Sequence, residues 1–133
     1  MKPSVWCDRT MFLGPHYALV LSEKSFTKEL KRLGIQPEDR PDYRPKQDAT
    51  CYWLENDRGQ PCYIVALRNW HGKDPVEVAA LLVHEATHIK QRVMSVIGED
   101  EPSAEFEAYM MQNIAGNLMQ SFVAQTGGKN EKK

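Results

Sequence analysis

The chain has little net charge, and this excludes the broad positive field on which many nucleic-acid-binding proteins depend. Its 17 Lys and Arg residues nearly balance its 18 Asp and Glu residues, which leaves a formal charge of −1 at pH 7. A domain that binds nucleic acid electrostatically carries a clear excess of basic residues. We therefore expect no nucleic-acid partner. A nucleic-acid-binding module is a weaker alternative to the functions considered below, and only the basic side chains of a predicted helix over residues 22–33 support it.

Long hydrophobic runs are also missing from the sequence. No stretch approaches the roughly 20 consecutive apolar residues that a membrane-spanning helix needs. The N-terminal residues lead directly into Cys7, Asp8 and Arg9, without the apolar segment of a signal peptide. We expect a soluble, cytoplasmic protein that has no membrane partner.

Cysteine is scarce and odd in number. The three residues Cys7, Cys51 and Cys62 do not have the spacing of a zinc ribbon, and an odd number cannot all pair within one chain. We expect reduced thiols in a reducing compartment, rather than one disulfide with a spare cysteine.

The length of the chain and the order of its local patterns predict one small α+β domain. A chain of 133 residues can bury one modest core, which we expect within residues 1–126, whereas the polar tail 127–133 is expected to be disordered. The expected elements are a strand at 16–21, a helix at 22–33, an antiparallel hairpin of strands at 51–54 and 62–67, and two longer helices at 76–97 and 103–123. A Pro-rich loop over 35–50 is either a rim or lid over a site or an unstructured insertion.

Within the first of the longer helices, His84-Glu85-Ala86-Thr87-His88 is the most specific pattern in the chain. Two histidines four residues apart on a helix lie one turn apart on the same face, so that both imidazole rings can bind one metal ion. Glu85 lies about 100° around the helix from His84, where it can take a proton from water held at the metal. This His-Glu-x-x-His spacing is typical of zinc metallopeptidases.

The residues around the motif predict where its helix begins and ends. Asp74, Pro75 and Glu77 are typical of a helix N-terminus with a capping box, and Gly98 is typical of a C-terminus. The apolar residues that recur at helical spacing between them are Val76, Ala79, Ala80, Leu82, Val83, Ala86, Ile89, Val93 and Val96. The alternative is a structural helix whose two histidines hydrogen-bond within the protein. Burial of two His and one Glu is costly, however, unless something pairs with them.

A third zinc ligand is not evident from spacing alone. A catalytic zinc ion takes three protein ligands and one open position, and the chain lacks a third histidine shortly after the motif. The candidates are Glu101, Glu105 and Glu107, near the start of the last helix. Glu105 and Glu107 flank the apolar stripe on opposite edges, so periodicity does not choose between them.

The segment Glu105-Phe106-Glu107-Ala108-Tyr109 resembles the Glu-x-x-Ala-Asp/Asn segment of the gluzincin peptidases. That group includes the membrane CAAX-processing and heat-shock peptidases and the peptidases that cleave phage repressors. Together with residues 84–91 and 97–99, the segment is also similar to small metallopeptidase-like proteins of phages and prophages. The resemblance spans about residues 76–120 and leaves the rest of the chain unmatched.

The resemblance implies a zincin-like fold, in which a small antiparallel or mixed sheet packs on the motif helix and on a C-terminal helix. It implies that Glu105 is the third zinc ligand, and that the strand before the motif helix is a sheet edge to which an extended peptide can add. Where the larger families have Asp or Asn, this chain has Tyr109. Tyr109 is then expected to orient His88 through its phenol, or to leave that role to another group such as Gln112. Tyr109 and His71 are also candidates for a donor to the oxyanion.

Together these patterns predict a zinc-dependent peptidase that acts on a peptide or protein substrate. Zn²⁺ is expected to bind His84, His88 and Glu105, with Glu85 as the general base. The second hypothesis is a non-catalytic, zinc-stabilised interaction module of phage or prophage origin. The oligomeric state is left open, since an uncovered sheet edge allows a dimer without requiring one.

Overall fold

A computed structural model describes residues 3, 4, 6 and 16–127 of the chain. Cys7 and residues 128–133 of the predicted tail lie outside the described residues. The described residues form a mixed sheet of three strands and three α-helices, which confirms an α+β fold. Within the described residues, none of the helices combines the length with the apolar character that crossing a membrane would take.

The sheet has the strand order β1, β3, β2, and its strands are β1 (Tyr17–Val20), β2 (Ala49–Glu55) and β3 (Pro61–Leu67). β2 and β3 pair antiparallel, so the predicted hairpin is confirmed. Gly59 in the connecting turn has a φ of 74°, a left-handed conformation that glycine adopts without strain. β1 pairs parallel with β3 on the side opposite β2.

One expectation about the sheet is wrong. The strand that precedes the motif helix, β3, is the central strand and pairs on both sides, so it has no free edge. Among the described strands, β1 and β2 each pair with β3 alone, so these two are the edge strands, and both come earlier in the chain than β3. The side chains agree with this order, because β3 is buried along nearly its whole length whereas Trp53 and Glu55 on β2 are exposed.

The helices are α1 (Glu23–Arg32), α2 (Pro75–Val96) and α3 (Ala104–Thr126), close to their predicted ranges. Each begins at a capping side chain. Ser22, Asp74 and Ser103 each accept a hydrogen bond from a backbone N–H of the first turn. In α2, Asp74 and Glu77 form the predicted capping box. These local signals are sufficient to place the motif in the middle of α2.

The two faces of the sheet are covered by different helices. The strand residues buried against α2 and α3 are Tyr17, Leu19, Tyr63, Val65 and Leu67. The strand residues buried on the α1 side are Val20, Tyr52, Cys62, Ile64 and Ala66. Because neighbouring side chains of a strand point to opposite faces, consecutive residues of β3 divide between the two cores.

The buried stripes of the two long helices differ in part from the predicted ones. In α3, Met110, Ile114 and Leu118 form the buried row, whereas Ala104 and Ala108, predicted as core, are exposed. The predicted residues Met111, Ala115, Met119 and Phe122 lie at its border and are partly buried. In α2, the predicted core residues found exposed are Val76, Ala80, Val83 and Val96. Neighbouring rows of both helices are apolar, so periodicity alone could not choose the inner row.

The predicted loop after α1 is tied to the sheet by Arg68, which is buried at the end of β3. The Arg68 guanidinium donates hydrogen bonds to the carbonyl oxygens of Tyr43 and Gln47 and to the hydroxyls of Thr50 and Tyr52. A loop held in this way is not an unstructured insertion. A short 3-10 turn, at residues 37–39, is also part of it.

Candidate metal centre

His84 and His88 project from α2 one turn apart, and their rings approach each other. Their Nε2 atoms are 3.2 Å apart, and the two ring planes are inclined by 80°. Two nitrogen ligands of a tetrahedral zinc ion, each about 2.0–2.1 Å from the metal, are separated by about 3.3 Å. The observed spacing therefore fits two ligands of one zinc ion.

Gln91 sets the orientation of the second imidazole. Its Oε1 atom lies 3.1 Å from Nδ1 of His88, and because an amide oxygen can only accept, Nδ1 carries the proton. In the neutral ring, Nε2 then has the electron pair that a metal takes. The sequence had proposed Tyr109 or Gln112 for this role. The i+3 spacing of Gln91 on the same helix is the signal that could have identified it.

Glu85 is buried beside the histidines, with 5% of its surface exposed. It makes no hydrogen bond or ion pair with any residue in the described part of the chain. Burial raises the pKa of the Glu85 carboxyl above its usual range, and the nearby His84, His88 and Arg68 oppose that rise. A carboxylate with a raised proton affinity and no donor already bound to it is suited to accept a proton.

The histidines and Glu85 form the floor of a groove between α2 and β2. The groove consists of two pockets of about 380 and 510 Å³, which share Ala49, His84 and Glu85. Volumes of this size are ordinary for small-ligand and peptide sites. Asp48, the last residue of the loop before β2, lines the groove and pairs with Lys73 at 3.1 Å. The end of the loop thus forms part of the rim.

The structure brings together two of the three predicted zinc ligands. Among the described residues, no group of three His, Cys, Asp or Glu side chains is close enough to hold one metal ion. Glu107 pairs with Lys90 of α2. Lys90 is two residues beyond His88 and so about 200° around the helix from it. This ion pair holds Glu107 on the side of α2 that faces away from the histidines.

Glu105 is exposed in the first turn of α3. Because Glu105 is two residues from Glu107, it projects from the opposite side of that helix. Its carboxylate makes no hydrogen bond or ion pair with a described residue. Of the two acidic candidates on α3, Glu105 is therefore the one whose carboxylate is not engaged in the fold.

The two candidate oxyanion donors lie outside the groove. Tyr109 is 59% exposed and lines a separate depression along α3 with Gln112 and Gly116. His71 stacks on Trp70, with 3.8 Å between the ring centroids. Neither Tyr109 nor His71 lines the two pockets that contain His84.

The groove residues that were not predicted as site residues include Cys51 and Trp53, and Arg92 contacts Trp53 at the border of the groove. Cys51 and Trp53 alternate along β2 with residues that face the α1 side, so the period of two in this strand is the signal for them. Burial raises the pKa of the Cys51 thiol to about 12, and the charge of Glu85 adds to the rise. The thiol is therefore protonated at neutral pH.

No protein-family model, curated protein or solved structure matches the chain. The resemblance to gluzincin peptidases therefore stays a prediction. It depends on the sequence alone, chiefly on the motif of residues 84–88 and on the segment of residues 105–109.

Proposed function

We propose that the chain is a zinc-dependent peptidase, which hydrolyses bonds of a peptide or protein substrate. The observation that carries the proposal is the pair of imidazole Nε2 atoms, 3.2 Å apart, beside the buried carboxylate of Glu85 in a groove. His84 and His88 would hold the metal. Bound Zn²⁺ supplies a Lewis acid that polarises the scissile carbonyl and lowers the pKa of water.

Glu85 is the proposed general base. Its carboxylate takes a proton from the attacking water, whose oxygen forms a bond to the carbonyl carbon. The carbon–nitrogen bond then breaks, and the proton passes from Glu85 to the leaving amine. The raised pKa of Glu85 favours acceptance of that proton.

The free edge of β2 supports an extended peptide as the substrate. Backbone N–H and C=O groups on such an edge can hydrogen-bond to an added strand. A peptide bound there would lie along the groove that His84 and Glu85 line. The edge beside the groove belongs to β2 and not to β3, as had been expected, but a peptide can still add to it in the same way.

Glu105 is the proposed third ligand. Its carboxylate has no partner among the described residues, whereas the carboxylate of Glu107 pairs with Lys90. The first turn of α3 would have to turn toward the groove for Glu105 to reach the metal. Tyr109 lies four residues after Glu105 on the same face of α3, one turn further along, and is the candidate donor to the oxyanion.

The Glu85→Gln variant tests the proposal, because it removes the base and nearly preserves the shape of the side chain. We expect the zinc content of the variant, by elemental analysis, to be unchanged. Cleavage of a peptide library by the zinc-loaded variant should fall by about 100- to 10,000-fold. Glu99→Gln, at an exposed position after α2, is the matched control and should cleave like the wild type. Unchanged cleavage by the Glu85→Gln variant would exclude Glu85 as the base.

A non-catalytic, zinc-stabilised interaction module is the second candidate function. Its metal site would differ from that of a peptidase, because a structural zinc ion takes four protein ligands and leaves no open position for water. Uptake of one zinc ion per chain with a higher Tm, but without any cleaved library peptide, would favour the module over the peptidase.

A further inference from the structure

The face of α2 that carries the two histidines continues to Arg92. His84, His88 and Arg92 are spaced four residues apart, so they lie in one row along the helix, each about 6 Å beyond the last. The peptidase chemistry proposed above gives Arg92 no role. Its side chain is exposed and reaches Trp53 at the border of the groove.

Trp53 of β2 holds the guanidinium group over its ring. The guanidinium carbon of Arg92 is 5.3 Å from the ring centroid, within the range of a cation–π contact. Trp53 lines the same pocket as His84, Glu85 and His88, and 51% of its surface is exposed. This contact keeps the guanidinium group near the ring, so its N–H donors lie beside the groove.

Arg92 carries a positive charge that no acidic side chain neutralises within the described residues. The ion pairs found there join Arg32 to Glu29, Lys73 to Asp48 and Lys90 to Glu107. A single exposed arginine is usually of little consequence. Here the cation is held by an aromatic ring at the border of a groove, and a planar guanidinium group suits a carboxylate.

We propose that Trp53 and Arg92 form a subsite that binds an Asp or Glu side chain of the peptide substrate. The guanidinium group donates two parallel hydrogen bonds to the carboxylate. The ring of Trp53 contacts the methylene groups that carry it. This inference rests on the proposed peptidase function and specifies the class of substrate that the same groove accepts.

The subsite lies at a definite distance from the scissile bond. Arg92 is about 9 Å along the helix axis from the midpoint between His84 and His88. An extended peptide advances about 3.3 Å per residue. The acidic residue is therefore placed about two to three residues from the bond that is cleaved.

Selection from a peptide library tests the subsite without requiring turnover. Full-length Glu85→Gln protein is loaded with zinc and immobilised, and a library of randomised, C-terminally amidated decapeptides is passed over it. Amidation removes the terminal carboxylate, so that enrichment reports acidic side chains alone. We expect retained peptides to favour Asp and Glu over Asn and Gln by about fivefold, as a partly exposed charge pair allows.

Two further substitutions in the same background assign that preference to the subsite. Arg92→Gln should abolish the preference for acidic residues, and Arg92→Glu should reverse it in favour of Lys and Arg. Arg58→Gln removes the same charge from the exposed turn between β2 and β3 and should retain the fivefold preference. No acidic enrichment, or the same enrichment with Arg92→Gln, would overturn the subsite.

The cleavage assay separates failure of the subsite from failure of the peptidase proposal. Peptides cleaved by the zinc-loaded wild-type protein should carry the acidic residue two or three positions from the new terminus. Acid-selective binding without cleavage would support the subsite while it excludes the peptidase. Cleavage without acid selectivity would overturn the subsite and leave the peptidase proposal intact.

Discussion

Glu29 and Glu85 are both buried, but their carboxylates have opposite surroundings. Glu29 on α1 is 1% exposed; it accepts a hydrogen bond of 2.7 Å from Nε1 of Trp6 and lies 3.5 Å from the Arg32 guanidinium. Glu85 on α2 is 5% exposed and has no such partner among the described residues. One face of the sheet thus closes around a satisfied carboxylate, and the other leaves a carboxylate at the floor of a groove.

The difference indicates that the carboxylate of Glu29 stabilises the fold, whereas the carboxylate of Glu85 has a role in the groove. A buried carboxylate costs free energy unless hydrogen bonds or an opposite charge compensate it. Glu29 has that compensation and contributes to the contact between α1 and the residues before β1. Glu85 has no hydrogen bond or ion pair among the described residues, and only the nearby charges of His84, His88 and Arg68 favour its charged form. Packing therefore gives little reason for a carboxylate at this position. A role in proton transfer does give one.

The same contrast recurs on α3 and gives the largest expected effect. Glu107 is paired with Lys90, whereas Glu105 has no partner among the described residues. If Glu105 is the third ligand, Glu105→Ala should weaken zinc binding by at least about 10-fold. Glu107→Ala, the matched control, should leave it unchanged. Competition with a chelating dye measures the zinc affinity of both variants. If only Glu107→Ala lost zinc, Glu107 and not Glu105 would be the third ligand.

The stability of the metal-free protein tests the comparison between Glu29 and Glu85 directly. Glu29→Leu leaves the Trp6 N–H without its acceptor and should lower the free energy of unfolding by about 1–3 kcal/mol. Glu85→Leu removes a buried carboxylate that has no hydrogen-bond partner among the described residues, and it should leave the free energy of unfolding unchanged or raise it by up to about 1 kcal/mol. Urea unfolding without zinc gives both values. Equal losses would mean that Glu85 also stabilises the fold.

The hydrogen bond that orients His88 should contribute less to zinc binding than a direct ligand does. Gln91→Ala removes the acceptor at Nδ1 and should weaken zinc binding by no more than about 10-fold, without loss of the free energy of unfolding in the absence of zinc. Gln120→Ala, on the exposed side of α3, is the control. The chelator competition described for Glu105 measures the effect. Unchanged zinc affinity in Gln91→Ala would assign the orientation of His88 to another group.

Local signals were sufficient for most of the secondary structure. Asp74 and Glu77 predicted the start of α2, because a capping box acts on its own first turn. The turn over residues 56–60 predicted the hairpin, since short connections join antiparallel neighbours. The spacing of His84 and His88 predicted that their rings would meet, because one helical turn determines it.

Arrangements that depend on packing between distant elements were predicted less well. The central position of β3 depends on its parallel pairing with β1, a strand more than 40 residues earlier in the chain, which no short stretch encodes. The inner row of α3, at Met110 and Ile114, depends on which of two apolar stripes reaches the sheet. Trp53 and Arg92 are 39 positions apart in the chain, and they meet because β2 lies along α2.

The sequence by itself determined the α+β class, the caps of the helices and a pair of imidazoles able to share one metal ion. These features follow from interactions within a few residues, which act in any tertiary context. Only the tertiary structure decided that β2 borders the histidines, that Glu85 is buried without a donor, and that Glu107 is engaged by Lys90 on the far side of α2. The physical reason is that burial and charge pairing depend on which surfaces of separate elements pack together.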